Sequence, residues 1–450
     1  MEVFYLILSV VFIVLLTAKW EIHPFFALLL VAILYGIVSG MPLHQILISV
    51  NKGFGNTLGG IGLIIILGVF IGAFLEHSGG AYSLAEKVLK YTGEKRIPLA
   101  MSLLGWIVSI PVFADSGFML LAPLGKSLTK KAGITLSGTA IALALGLIAS
   151  HTMIPPTPGP IAAAHYLGAD LGLVMLLGMP LSLLALLFSQ LFVNRMVSPT
   201  YIDPDPDITQ DEIRKRVSDA PGAFKSAIPI FVPILMIIGR SLLTTMGGYS
   251  GDQVENFPLG IQLLLFLGEP FMALLTGCLL SLMLPKKLHL RMLSTDGWVG
   301  NALVGASSIL LITGAGGIFG QVLRDSGIAT VLGKSLSEFH ISIWLPFLIA
   351  AAIKTAQGSS TVALITTATI LAPMMTDLGF VSEWHKALVV LAIGAGSAVV
   401  VHANDSFFWV VTRMSYMDTN LGYKFLSLGS FVLGLSAGLL IFFTFLFVGG

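Results

Sequence analysis

The chain has 450 residues, 56% of them hydrophobic and only 10% charged, and its mean hydropathy is +0.93. A soluble domain needs far more charge to cover its surface, so composition excludes one and makes the bilayer the solvent. The formal net charge of +1 says little about partners, because charge placement matters more than its sum, and no nucleic-acid partner is expected; the single cysteine, Cys278, excludes an intramolecular disulfide.

A span needs about 20 apolar residues to cross a hydrocarbon core of roughly 30 Å. The first apolar run, 3–18, has no basic stretch before it and no small-residue cleavage site after it, and reads as a retained helix. Runs at 24–39 and 60–76 follow as spans. The stretch 98–125 is different, because Pro111–Gly117 interrupts it. It leaves two arms of about a dozen residues, each near 18 Å at 1.5 Å per residue, enough to reach the midplane and return. This is a predicted re-entrant hairpin. The segment 134–168 reads as a helix broken after His151 by Pro155, Pro156, Pro158 and Pro160, since proline lacks an N–H and clashes with the preceding turn. A span at 171–194 closes the first repeat, 1–195.

The polar stretch 196–222 reads as a cytoplasmic linker. Beyond it, spans are predicted at 223–246, 260–284 and 305–323. A second hairpin, 342–375, is interrupted at Lys354–Thr361. A second broken helix, 384–418, carries His402, Asn404, Asp405 and Ser406 at its break, and a span at 425–448 ends the second repeat, 223–450.

The halves resemble each other. Gly72–Gly79 reads against Gly320–Gly327 at an offset of 248, and the His151 break against the His402 break at 251. With five crossings per half, the second copy must enter the membrane upside down. The charges agree with that topology. If both hairpins return to the side they entered, 18 of the 24 Lys and Arg fall on one side, which the positive-inside rule makes cytoplasmic and which puts both termini outside. The predicted fold is therefore an all-α polytopic membrane protein of two inverted five-helix repeats, each with one re-entrant hairpin and one broken helix.

Backbone that leaves the helix inside lipid loses its hydrogen bonds at several kcal/mol per group, and survives only in protein or beside water. Inverted repeats gather such breaks near the midplane, where half-helix N-termini suit an anion. Asp115, at the first tip, reads as a cargo ligand or proton carrier, or else as a helix cap. Lys354, at the second, could pair with a cargo carboxylate, snorkel, or bridge to Asp115 or Asp405. Gln357, Ser359, Ser360 and Thr361 offer donors for a carboxylate and hydroxyls, or cap the return arm. His151 and His402 are proton carriers or structural donors, and Asp405 is a further candidate for proton coupling. Thr157 and Gly159 expose backbone at the proline break. The predicted cargo site joins Asp115, Ser116, Gly117, Thr157, Gly159, Lys354, Gln357, Ser359, Ser360, Thr361, Asn404 and Ser406. No Walker motif, dinucleotide fingerprint or zinc-ligand spacing occurs, so no cofactor, metal or enzymatic activity is expected.

The stretch Pro111–Phe118, the run His151–Pro160 and the run His402–Ser406 resemble the gluconate permease family of the ion transporter superfamily, over essentially the whole chain. The resemblance implies import of gluconate or a related acid by proton symport across a bacterial inner membrane, with protons as the coupling ion. It also implies a homodimer that works as an elevator. The Ser-Asn-Thr tip of sodium-coupled relatives is absent here, which favours protons. Competing expectations are a carrier of D-serine or glycerate, an ion antiporter on the same fold, and, more remotely, an intramembrane enzyme.

Overall fold

The computed structural model describes residues 2–93, 96–204, 220–245, 257–327 and 342–448, and every regular element among them is helical. Most of the linker, with Arg214, Lys215 and Arg216, lies outside the described residues, as do Lys95 and Lys334.

Helix α1 (Glu2–Val14) runs into a π-helical turn at Leu15–Lys19 and is followed by α2 (Pro24–Val38). Helices α3 (Leu43–Thr57) and α4 (Leu63–His77) join through a second π turn into one helix of 35 residues. Only its second part is apolar enough for a hydropathy window, because α3 carries His44, Gln45, Asn51, Lys52 and Asn56. The span expected at 60–76 is therefore the end of a much longer helix. After α5 (Gly80–Thr92), the first interrupted stretch forms α6 (Ile97–Val108) and α7 (Ala114–Ala132). The return arm extends past the expected 125, through Lys126, Lys130 and Lys131, and stops where Gly133 takes a left-handed conformation (φ 66°). Helices α8 (Leu136–Met153) and α9 (Pro158–Leu167) flank the proline break, and α10 (Leu171–Phe192) follows.

Beyond the linker come α11 (Ala223–Thr245), then α12 (Leu259–Leu267) and α13 (Pro270–Ser281). The single span expected at 260–284 is instead two helices meeting at 72°. Pro270 has no N–H to carry the helix through, and Glu269 at the corner pairs with Arg240 at 2.6 Å. The long α14 (Trp298–Asp325) precedes α15 (Trp344–Gln357) and α16 (Ser360–Leu371), the second interrupted pair. Helices α17 (Glu383–Ala398) and α18 (Ser406–Met414) flank an extended stretch, and α19 (Thr419–Gly422) and α20 (Leu428–Val448) end the chain. Six helices among the described residues are long and apolar enough to cross a bilayer, or seven with the bent pair as one span. The other apolar runs form shorter helices that depend on neighbours for cover.

Two packing groups emerge. In one, α6 lies on α8 and α15 on α17, while each return arm crosses to the other half, α16 onto α9 and α7 onto α18. In the other, α14 lies against α2 and α3, and α13 against α4 and α11. Glycine sets the closest approaches. A Cβ on Gly53 would land on the Gly317 carbonyl, and one on Gly317 would land on the Gly53 carbonyl and the Thr57 hydroxyl.

Overpacking such a contact typically costs about 1–3 kcal/mol. Gly53→Val should therefore lower the thermal midpoint of the detergent-solubilised protein clearly. Gly55→Ala, two residues along and facing open space, should leave it unchanged or raised.

Candidate functional site

The breaks meet at one place. A cavity of about 320 Å³ is walled by Ala114 and Asp115 of α7, by Ile148, His151 and Thr152 of α8, by Gln357–Thr361 between α15 and α16, and by Val401 and Asn404–Phe407 at the start of α18. Three helix N-termini, those of α7, α16 and α18, open onto it. The first turn of a helix holds N–H groups that have no partner within the helix, and its dipole end is positive.

Each start is built differently. Ser359 caps α16, its hydroxyl accepting from the Val362 amide at 3.3 Å. Asp405 caps α18, with Oδ1 accepting from the Phe407 amide at 2.9 Å. Helix α7 has no side-chain cap. Its N-cap is Phe113, and Asp115 sits inside the first turn, so the cap role open to Asp115 in the sequence is not the one it fills.

Lys354 decides the charge of the site. It is fully buried, and its Nζ donates to Asp405 Oδ2 and to the Gly358 carbonyl, both at 2.5 Å. Of the partners open to it in the sequence, the structure selects Asp405. Asp115 makes no ion pair among the described residues; its contact is the Ser406 hydroxyl, which donates to Oδ1 at 3.4 Å. Two carboxylates therefore share the cavity, one neutralised and one not.

The second tip is tied to the second break through backbone. Asn404 Nδ2 donates to the carbonyls of Thr355 (3.0 Å) and Ala356 (3.2 Å), the groups freed where α15 ends. His402 Nε2 lies 2.7 Å from the same Thr355 carbonyl and must be its protonated nitrogen, since a carbonyl only accepts. Gly358 (φ 86°) is required here on two counts: the left-handed turn, and an Asn404 carbonyl lying where a Cβ would be.

Of the sequence-predicted residues, Asp115, His151, Gln357, Ser359, Ser360, Thr361, Asn404, Asp405 and Ser406 line the cavity, with Lys354 behind Asp405. Ser116, Gly117, Thr157 and Gly159 do not line it. A Cβ on Gly117 would strike Leu147, and one on Gly159 would strike Leu364 at 2.6 Å, so both are packing glycines. Thr157 donates to the Ile154 carbonyl at 2.7 Å and stabilises the proline break. The two histidines are not equivalent. His151 lies in the last turn of α8 on the cavity wall, whereas His402 lies four residues beyond the end of α17 and serves the backbone. Sequence reasoning missed Ala114, Ile148, Thr152, Val401 and Phe407; a helical wheel drawn back from His151 would have found Ile148, three residues earlier on the same face.

Two polar atoms of lining residues, His151 Nδ1 and Gln357 Nε2, are buried without a hydrogen-bond partner among the described residues. Buried polar groups are almost always paired, so such orphans in a cavity wall mark where a guest or water completes the bonding.

A polar cavity of this kind inside a helical membrane protein fits a permease. The family model described as GntP family permease matches residues 1–448, and the chain belongs to that family. It is 34% identical over 428 residues to an uncharacterised permease of Haemophilus influenzae, covering 91% of this chain and 85% of the relative. It is 32% identical to a gluconate permease of Pseudomonas aeruginosa (93% and 92% covered) and 30% identical to the D-serine transporter DsdX of Escherichia coli (95% and 94%). The crystal structure of the Alcanivorax borkumensis YdaH transporter, reported to have an unusual topology, superposes with a TM-score of 0.59 at 14% identity, over 95% of this chain and 99% of that one. At that identity the likeness is one of fold.

Removing one partner of a buried ion pair typically costs about 3–5 kcal/mol, because a lone charge remains. Lys354→Met should cause a large drop in thermal midpoint. Adding Asp405→Asn, which keeps an oxygen for the α18 cap, should recover more than half of it.

Proposed function

We propose that the chain is a secondary active transporter that imports gluconate or a related sugar acid together with protons. The observation that carries this reading is the charge asymmetry of the cavity: Lys354 pairs with Asp405, while Asp115, beside three helix N-termini, makes no ion pair among the described residues. An anionic cargo and an ionised Asp115 would repel, by about 3 kcal/mol at 5 Å for an effective dielectric of 20. A proton on Asp115 removes that cost and supplies a donor for the cargo carboxylate or hydroxyls. Binding of anion and proton would then be mutually dependent, the thermodynamic basis of symport.

Ser359, Ser360, Thr361, Asn404 and Ser406 would hold the carboxylate and hydroxyls, with the amides of the α16 and α18 first turns. Asp115 would carry the proton, with His151 beside it on the cavity wall, while His402 and Asp405, committed to the Thr355 carbonyl and to Lys354, would hold the wall. The gluconate permease among the relatives supports a sugar acid as cargo; DsdX supports a second reading, a small amino or hydroxy acid such as D-serine in the same cavity. One proton per monovalent anion would move no net charge, and a second would add about 2.3 kcal/mol per 100 mV of membrane potential.

Opposed orientation of the two halves is supported by their common element order and by the lysine and arginine bias. In this reading the protein lies in the bacterial inner membrane with both termini outside and forms a homodimer. The interleaved group of α6–α9 and α15–α18 moves past the group containing α3, α11, α13 and α14.

Purified protein in liposomes tests this. Labelled gluconate should accumulate against its gradient when the outside is acidic and not when only sodium is imposed. Uptake of D-serine but not gluconate would favour the second reading, and sodium movement without acid exchange would make it an antiporter. Asp115→Asn should reduce proton-driven accumulation at least tenfold while gluconate exchange across the membrane falls less than threefold. Equal loss of both would make Asp115 a cargo ligand only.

A further inference from the structure

Gln357 ends α15 at the cavity wall, and its amide is held from one end only. Oε1 lies 3.3 Å from Thr17 Oγ1, while Nε2 is buried with no hydrogen-bond partner among the described residues. Thr17 is 340 residues away in sequence, in the π-helical turn Leu15–Lys19 that extends α1. Single π turns within helices recur at functional sites, because the extra residue re-aims side chains. This turn packs against α15, as does α1.

The Thr17 hydroxyl also lies 2.9 Å from the Ile13 carbonyl and 3.3 Å from the Val14 carbonyl. One proton cannot serve all three acceptors, so the hydroxyl divides its donation between its own helix and Gln357. Turning the amide over would let its nitrogen donate to the Thr17 oxygen and leave the carbonyl oxygen free instead. In both orientations Thr17 fixes one end of the amide, and the other is unpartnered at the cavity wall.

We infer that Thr17 is a positioning residue for cargo recognition. Through Gln357 it orients the amide end that pairs with a hydroxyl of the bound acid. A hydroxyl both donates and accepts, so it can complete the amide in either orientation, whereas an unsubstituted methylene would leave the buried end orphaned at a penalty. The first helix thereby becomes part of the specificity of a site otherwise built from the interrupted elements. The inference rests on the transport reading above.

The test compares Thr17→Val, which keeps the shape and loses the hydroxyl, with Thr17→Ser, which keeps the hydroxyl. In liposomes, Thr17→Val should raise the KM for gluconate about five- to tenfold with Vmax within about twofold, and Thr17→Ser should stay within about twofold of the unaltered protein in both. Gln357→Leu should raise KM comparably, and combining it with Thr17→Val should add little. An unchanged KM in Thr17→Val, or equal losses in the valine and serine variants, would overturn the role. The thermal midpoint of the cargo-free protein provides an arm that needs no transport. The shifts of Thr17→Val and Gln357→Leu should be less than additive, and full additivity would overturn the contact. An unaltered protein that moves no gluconate while the midpoints remain coupled would count against the gluconate reading and not against this contact.

Discussion

The structure depends on one constraint: a chain in lipid has nowhere to leave unpaired backbone. Among the described residues, helices stop inside the hydrophobic body of this protein at Ser109–Phe113, Ile154–Thr157, Gly358–Ser359 and Val399–Asp405. Scattered, each break would cost several kcal/mol. Together they are mutually useful. Asn404 and His402 of the last break satisfy carbonyls released at the third, Lys354 takes the Gly358 carbonyl, and Asp405 and Ser359 cap the helices that resume. What is left over, free N–H groups at helix starts, faces a cavity of about 320 Å³ where water or a guest can meet it.

This bonding is uneven. The second tip and the second break are sewn together by side chains at several points, so they form one rigid wall. The start of α7 is joined to that wall through Ser406 and Asp115 at 3.4 Å, a long contact for two oxygens. A guest entering between them would replace a weak bond and leave the strong ones intact. The fixed wall would read the guest's shape and hydroxyls, and the loosely joined carboxylate would respond to its charge.

How much of this could be read from sequence follows from how local each signal is. The interruptions were legible because proline, glycine and an intramembrane charge betray a break without reference to anything distant; Asp115, Gln357 and Asn404 were found that way. Which neighbours face the cavity was not, since successive residues of a helix point about 100° apart. Hence Asp115 lines the site while Ser116 and Gly117 do not, and Thr152 lines it where Thr157 holds the chain. The partner of Lys354 stayed open among several acceptors until geometry chose Asp405. The 72° corner at Glu269 vanished inside an apolar average, and the polar face of α3 hid 15 residues of a 35-residue helix. Thr17 left no trace at all, because a single threonine in an apolar helix is usually occupied by its own backbone.

The two carboxylates of the cavity stand in different settings: Asp405 lies at the break before α18 with Lys354 against it, and Asp115 lies at the first tip, Pro111–Gly117, which carries no cation. The consequence is physical rather than decorative. A pair of bare carboxylates would repel any anion and hold each other's protons, and a pair of neutralised ones would have no group left to titrate. With one buried ion pair tying Asp405 to the cap of α18, Asp115 is the carboxylate left without an ion pair among the described residues, and its charge can change without dismantling the wall.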